Sequence, residues 1–227
     1  MAFGDLIRQE NSPSTSPMGI GGDDSVIYHA DWLADLLYEL LVSDFSVDRS
    51  VASPSTKPFG IGGDSGVVWH ADDGANRNYK LIQSDFSVDW FAAAPSTTPY
   101  GIGGDANIVW HCEDNLNGFI YELLNTDLSV VRSVQARTGQ DTEPRGAGGQ
   151  ADVFWTSNTN WLNTEVQERA VSDLSLLQYA AGTSVNIGGI GGSKVTLWAV
   201  DYLSFKIQEL DSSYNLPITK SKGHVLI

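Results

Sequence analysis

The chain alternates between short apolar segments and clusters of Gly, Asp, Ser and Pro. Each apolar segment has the length of a β-strand, about four to eight residues, and is too short for most helices. A glycine-led segment, GIGGD, begins at Gly19, Gly60 and Gly101, and related segments begin at Gly146 and Gly189. The spacings are 41, 41, 45 and 43 residues. The pattern therefore predicts five structural repeats built from strands.

The first three repeats are close copies of one another. Residues 54–70 match residues 95–111 at 12 of 17 positions, and residues 13–29 match residues 54–70 at 11 of 17. Repeats four and five have diverged, and repeat four carries insertions. This degree of identity indicates recent duplication.

Every repeat predicts four strands, of which the glycine-led segment is the first. The second ends with an aromatic residue in all five repeats: Tyr28, Trp69, Trp110, Trp155 and Trp198. Four strands in about 40–45 residues is the size of a propeller blade. The glycines indicate close backbone approach near the axis, and the aromatics indicate packing between blades.

This pattern resembles the WD-type and YVTN-type β-propeller repeat families over about residues 5–220. The Trp-Asp dipeptide that names the WD family is absent from its usual place, so no functional residue is carried over. The number of blades is also similar to that of five-bladed lectin propellers. We expect an all-β fold, a five-bladed β-propeller with four antiparallel strands per blade, as a single domain over residues 1–227. A linear β-solenoid is the competing architecture.

The two ends of the chain compete for one position in the ring. Shifted by 41 residues, residues 6–12 fall on the outer strand of the first repeat. We expect Leu6–Glu10 to pair beside the strand that ends at Leu210 and to close the ring. In the alternative, Tyr214–Lys220 takes this position and the N-terminal strand reaches a neighbouring molecule, which would allow oligomerisation through a terminal strand.

The composition of the chain excludes several classes of function. The chain has 227 residues, with 13 Lys+Arg against 28 Asp+Glu, and a formal net charge of −15. Such an acidic chain would repel a phosphate backbone, so we expect no nucleic-acid partner. No apolar run is long enough for a membrane helix, and no secretory signal is visible. With one cysteine, Cys112, no intrachain disulfide can form. We expect a soluble protein of unknown location, with the cytoplasm slightly favoured.

One rim of the predicted propeller collects polar side chains. His29, His70 and His111 follow the aromatic of the second strand, and an acidic residue stands two positions further on in four repeats: Asp31, Asp72, Glu113 and Asp201. Such a ring suits a cation or a sugar, although it is incomplete in repeats four and five. The alternative is that each His bonds nearby backbone and each acid caps the following loop.

Aromatic residues in the loops that follow add a second set of candidates: Trp32, Trp161 and Tyr202. Neither GxSxG nor HExxH occurs, and we expect no cofactor and no metal-ligand set. The sequence favours a non-enzymatic binding or scaffold module that presents one face to a protein or glycan partner. The alternative is an enzyme, a metal-assisted hydrolase or lactonase with its site at the His/Asp ring.

Overall fold

The computed structural model describes residues 3–64, 66–114, 118–136, 143–150, 153–159, 164–181, 186–193 and 196–212. Within these ranges the chain forms twenty strands: β1 (Leu6–Asn11), β2 (Pro17–Gly22), β3 (Ile27–Asp31), β4 (Leu36–Leu40), β5 (Val47–Ala52), β6 (Pro58–Gly63), β7 (Val68–Asp72), β8 (Arg77–Leu81), β9 (Val88–Ala93), β10 (Pro99–Gly104), β11 (Ile108–Glu113), β12 (Phe119–Leu124), β13 (Val130–Gln135), β14 (Glu143–Gln150), β15 (Val153–Thr159), β16 (Thr164–Arg169), β17 (Leu176–Ala181), β18 (Ile187–Gly192), β19 (Leu197–Asp201) and β20 (Lys206–Leu210). These same ranges contain no helix, and hence none that is long and apolar enough to cross a membrane.

The strands form five four-stranded antiparallel sheets, which confirms the predicted five-bladed β-propeller. Blades one to four are β2–β5, β6–β9, β10–β13 and β14–β17, and blade five is β18, β19, β20 and β1. The innermost strands are β2, β6, β10, β14 and β18. We call the face at which these inner strands begin the upper face, and the opposite one the lower face.

Five glycines meet at the axis, one from each inner strand: Gly21, Gly62, Gly103, Gly148 and Gly191. A Cβ added to any of them would lie 2.7–3.0 Å from the Cα of the glycine in the next blade. Real Cβ atoms essentially never approach so closely, so only glycine allows the blades to meet here. We call these residues the axial glycine ring.

The last glycine of each inner strand has a different role. Gly22 has a φ of +141° and Gly63 a φ of +153°, a region that side chains rarely adopt. Each begins the tight turn into the second strand, and a Cβ on Gly22 would lie 2.0 Å from the carbonyl oxygen of Val26. Crowding at the axis therefore explains only part of the glycine pattern.

Large aromatic side chains fill the spaces between blades further from the axis. The second-strand aromatics lie two or three residues into their strands, not at the predicted ends, and all are buried: Tyr28, Trp69, Trp110, Trp155 and Trp198. Tyr28, Trp69 and Trp198 also donate to the carbonyl of the Asp that follows the last inner glycine of the next blade, at 2.8, 3.2 and 3.1 Å. These rings thus contribute both apolar burial and a directed bond between neighbouring blades.

The ring closes through β1. This strand pairs antiparallel with β20, from Leu6 opposite Leu210 to Asn11 opposite Lys206. Arg8 bonds Glu209 on β20 at 2.5 Å and donates to the carbonyl of Ser43 in blade one at 2.6 Å. Residues 214–220, the alternative occupant of this position, lie outside the described residues.

Arginines on the outer strands bridge three of the five blade interfaces. Arg8, Arg49 and Arg132 each pair with a Glu on the adjacent strand and donate to two carbonyls of the next blade. The equivalent residues of blades two and four are Trp90 and Gln178, and the two corresponding interfaces lack this bridge. The outer contact is therefore less regular than the axial one.

We expect Gly21→Ala to destabilise the protein by about 1–3 kcal/mol, the usual cost of overpacking a filled interior. The added methyl group would lie 2.7 Å from the Cα of Gly62, and backbone there cannot move aside without shifting a blade. Urea denaturation measures the effect. Gly66→Ala is the matched control, because its nearest neighbour is a side-chain oxygen at 3.3 Å. Equal midpoints for the two variants would contradict the axial role.

Deleting residues 1–11 should lower the melting temperature, since it uncovers the edge of β20 and removes the Arg8 bridge. A loss of about 3 kcal/mol corresponds to roughly 6–12 °C for a chain of this size. Differential scanning calorimetry measures the shift. Arg8→Ala retains the strand and should cost less. A truncated protein that melts with the wild type would show that β1 does not stabilise the ring.

Candidate functional site

The three predicted imidazoles lie inside the blades. His29, His70 and His111 have no solvent-exposed surface. The Nδ1 atoms of His29 and His70 lie 2.8 Å from the carbonyl oxygens of Gly19 and Gly60 on the adjacent inner strands. In this position an imidazole ties the first strand of its blade to the second, and no ligand can touch it without displacing protein atoms.

The second ring nitrogen has a serine partner in the first two blades. His29 Nε2 lies 2.9 Å from Ser12 Oγ, and His70 Nε2 lies 3.2 Å from Ser53 Oγ. Ala94 stands at the equivalent position for blade three, so His111 lacks this hydroxyl partner. Burial lowers the pKa of His29 to about 4 and that of His111 to about 3, which keeps both rings neutral at pH 7.

The predicted acidic residues are also buried and hold the loops that follow them. Asp31 Oδ1 accepts from the backbone N–H of Leu33 at 2.9 Å, and Asp201 Oδ1 accepts from that of Leu203 at 3.0 Å. Asp72 Oδ1 accepts from Ala75 N–H at 2.7 Å, and Glu113 Oε1 accepts from Phe119 N–H at 3.3 Å. Burial opposes the ionised form of Asp31, but hydrogen bonds from Ala34, Ser14 and other donors lower the pKa of its carboxyl below the ordinary value.

The histidines of the His/Asp ring thus lie inside the blades and the acids hold the loops, so the ring is not displayed on the upper face. The described ranges contain no group of three or more His, Cys, Asp or Glu that could hold a metal ion. Neither of the two depressions described on the axis has room for a water molecule; one is lined mainly by glycines and the other by glycines, isoleucines and Arg145. A ligand of the upper face would therefore contact other residues first.

The residues that such a ligand would contact first lie where the inner strands begin. The residue before the first inner glycine differs in every blade: Met18, Phe59, Tyr100, Arg145 and Gly188. The ring centroids of Phe59 and Tyr100 are 4.7 Å apart. Tyr100 Oη lies 3.5 Å from the sulfur of Met18, which connects blade three to blade one across the mouth of the axis.

The loop aromatics Trp32 and Tyr202 join the same region. Their backbone N–H groups donate to the carbonyls of Ser16 at 3.2 Å and Asn186 at 3.1 Å, just before the inner strands begin. These bonds hold the loops beside the mouth. The Trp32 ring is 6.2 Å from the ring of Phe59, the inner residue of the next blade. Trp161, the third predicted aromatic, lies outside the described residues.

Arg145 links three blades. Its guanidinium lies 5.7 Å from the centre of the Tyr100 ring and 5.5 Å from that of Tyr202, and it donates to Tyr202 Oη at 3.2 Å. It also pairs with Glu143 at 2.9 Å and reaches Asp114 at 3.9 Å. Cation–π contacts and two carboxylates thus hold one positive charge at the mouth.

The two carboxylates differ from ordinary surface groups. Burial and the neighbouring Glu143 raise the pKa of Asp114 to about 6, although Arg145 acts in the opposite direction. The nearby tyrosine and carboxyl groups outweigh the effect of burial and raise the pKa of Arg145, so this guanidinium stays charged. Two acids therefore share a single cation in a partly dehydrated position.

We call this group the mouth cluster; its members are Met18, Trp32, Phe59, Tyr100, Asp114, Glu143, Arg145 and Tyr202. The sequence pattern predicted Trp32 and Tyr202 but not the other six. One signal was available for five of them. The residue before each GIGG segment and the residue after each loop acid change from repeat to repeat, whereas the positions around them are kept.

Comparisons with known proteins find solved structures of similar fold but no matching family. No protein-family model and no curated protein matches the sequence. The solved structure of Myxococcus xanthus glutaminyl cyclase is similar with a TM-score of 0.70 and 11% identity, covering 91% of this chain and 95% of that one. The β-propeller domain of Myceliophteria thermophila Cps50 (Swd1) gives 0.54 and 8%, covering 91% and 99%. Kuenenia stuttgartiensis hydrazine synthase gives 0.55 and 10%, covering 93% and 60%. At these identities the likeness concerns the propeller fold alone.

The buried imidazoles predict a stability loss in mild acid. Between pH 6.5 and about 4 the unfolded His29 takes up a proton that the folded one does not, so unfolding becomes easier as the pH falls. Each pH unit within this window costs up to about 1.4 kcal/mol per histidine. His29→Gln should flatten the dependence, as measured by urea denaturation from pH 7 to 4.5. Parallel curves for the variant and the wild type would contradict burial of a neutral ring.

Proposed function

We propose that the protein is a non-enzymatic binding or scaffold module that presents its upper face to a protein or glycan partner. The observation that carries this proposal is the mouth cluster, in which the partly exposed rings of Trp32, Phe59 and Tyr202 come from three blades and the buried ring of Tyr100 comes from a fourth. The propeller provides a rigid platform for such a surface, because strands rather than flexible loops hold its inner members.

The position of the cluster in the repeat supports a binding role. Blades one to three are nearly identical in their glycines, buried aromatics and turn residues, and identical blades would give identical surfaces. The mouth cluster departs from this symmetry, and the diverged blade four supplies Glu143 and Arg145. A position that packing leaves free to vary is available for a specific contact.

The residue types agree with this role. Trp, Tyr, Met and Arg are enriched in the buried centres of protein interfaces, and Trp, Tyr and Arg dominate their binding energy. Trp32 and Tyr202 are only partly buried, and the leucines that follow them in their loops are among the most exposed apolar residues, Leu33 at 65% and Leu203 at 61%. The corresponding loops of two neighbouring blades thus each expose apolar surface beside the mouth.

The enzymatic alternative stays open, since proteins that share this fold include enzymes by name. A metal-assisted hydrolase or lactonase at the His/Asp ring has less support, because the imidazoles and acids of that ring are buried and bonded to their own blades. A carboxyl with a raised pKa, Asp114, would be the place to seek catalysis instead. Loss of a measured turnover in Asp114→Asn would favour the enzyme.

Trp32→Ala tests the proposal, with glycan and peptide arrays probed in parallel. We expect the wild type to bind at least one array ligand and the variant to lose at least tenfold in affinity, about 1.4 kcal/mol. Trp32 contacts Phe59 at the surface, so the variant should remain folded. Tyr179→Ala is the control, because Tyr179 is 62% exposed on the outer strand of blade four. Absence of any ligand, or equal losses in both variants, would refute the proposal.

A further inference from the structure

The upper face divides into two chemically different halves. Blades five and one are neighbours in the ring and contribute the apolar half, with Tyr202 and Leu203 from one and Trp32 and Leu33 from the other. Blades two, three and four contribute acidic side chains around the other side of the mouth: Asp73, Asp114 and Glu143. A ligand that covers the mouth would meet both halves at once.

Among the described residues, the acidic half has more negative than positive charge in its ion pairs. Asp73 pairs with the exposed Lys57 at 3.4 Å, and Arg145 contacts both Asp114 and Glu143. Three carboxylates of this described part thus pair with two cations, and the Asp114 and Glu143 side chains are each 25% exposed. A second cation placed beside them would remove the repulsion between the two acids.

The apolar half favours a protein over a glycan. Sugars are bound by stacking on aromatic faces and by hydrogen bonds to their hydroxyl groups, and a leucine side chain offers neither. Leu33 and Leu203 nevertheless lie next to the two loop aromatics and are largely exposed. An apolar side chain of a protein segment can cover leucine and aromatic surface together.

The net charge of the whole chain also favours a basic partner. A net charge of −15 attracts basic partners and repels acidic ones during encounter. A basic segment would thus be guided to the protein and then held at the acidic half of the upper face.

Building on the proposed function, we infer that the ligand is a protein segment in which an apolar side chain stands beside Lys or Arg. The apolar side chain packs on Trp32, Leu33, Tyr202 and Leu203, and the cation lies beside Asp114 and Glu143. Either group alone would leave half of the face uncovered, so the combination sets the specificity.

A synthetic peptide array tests this directly. It contains peptides in which Lys or Arg stands beside Leu, Phe or Trp, matched peptides with Glu in place of the basic residue, and matched peptides with Gly in place of the apolar one. We expect binding only to the first set, with affinities then measured by fluorescence anisotropy. Higher salt should weaken the binding, since part of the attraction is between exposed charges.

Variants of each half separate the two contributions. Asp114→Asn should weaken a basic–apolar peptide about tenfold and reduce its salt dependence. Trp32→Ala should weaken it by at least as much and leave the salt dependence unchanged. Asp85→Asn is the control for the acidic half, because Asp85 lies in an exposed turn of the lower face.

The outcomes distinguish this inference from the proposal on which it rests. Binding to glycans alone, or to the Glu-containing peptides as strongly as to the basic ones, would overturn the inference and leave a binding face in place. Full affinity in Asp114→Asn would also overturn it. If Trp32→Ala binds every array ligand as the wild type does, the proposed function itself fails.

Discussion

Contact between the glycine Cα atoms at the axis is the constraint on which the rest of the structure depends. Because no Cβ stands between neighbouring inner strands, the blades meet backbone to backbone and then separate as they run outward. The space between blades therefore widens with distance from the axis. Isoleucine fills it first, then the large second-strand aromatics, and finally the arginine bridges at the rim.

The same gradient explains what the sequence could reveal. Every blade needs glycine at the axis and a large ring in the widening space. The period, the blade count and the buried aromatics could therefore be predicted from the sequence. The outer strand at residues 6–11 could be predicted for a related reason, since the equivalent outer strand of the first repeat lies 41 residues later in the sequence. The role of Gly22 could not be predicted. A turn that requires a positive φ and a close backbone contact both select glycine, so the sequence does not distinguish them.

Repetition was a poor guide to the functional surface. His29 ties the first strand of its blade to the second and Asp31 holds the following loop, and both tasks bury the side chain. Residues that recur for such structural reasons are not exposed to a ligand. The mouth cluster is assembled from positions that vary, such as Tyr100 and Arg145, and from loops of three different blades. Their proximity depends on how the blades close around the axis, which no local pattern of residues specifies.

The pairing of β1 with β20 bears on how the protein is made. The strand that β1 must join is synthesised much later than β1 itself: 201 residues separate Arg8 from Glu209. Until then an edge strand with Leu6 and Ile7 has no native partner, while blades one to four can already assemble from local hairpins. The last step of folding is therefore a long-range one, and the interval before it is when the nascent chain is most exposed to pairing with another molecule.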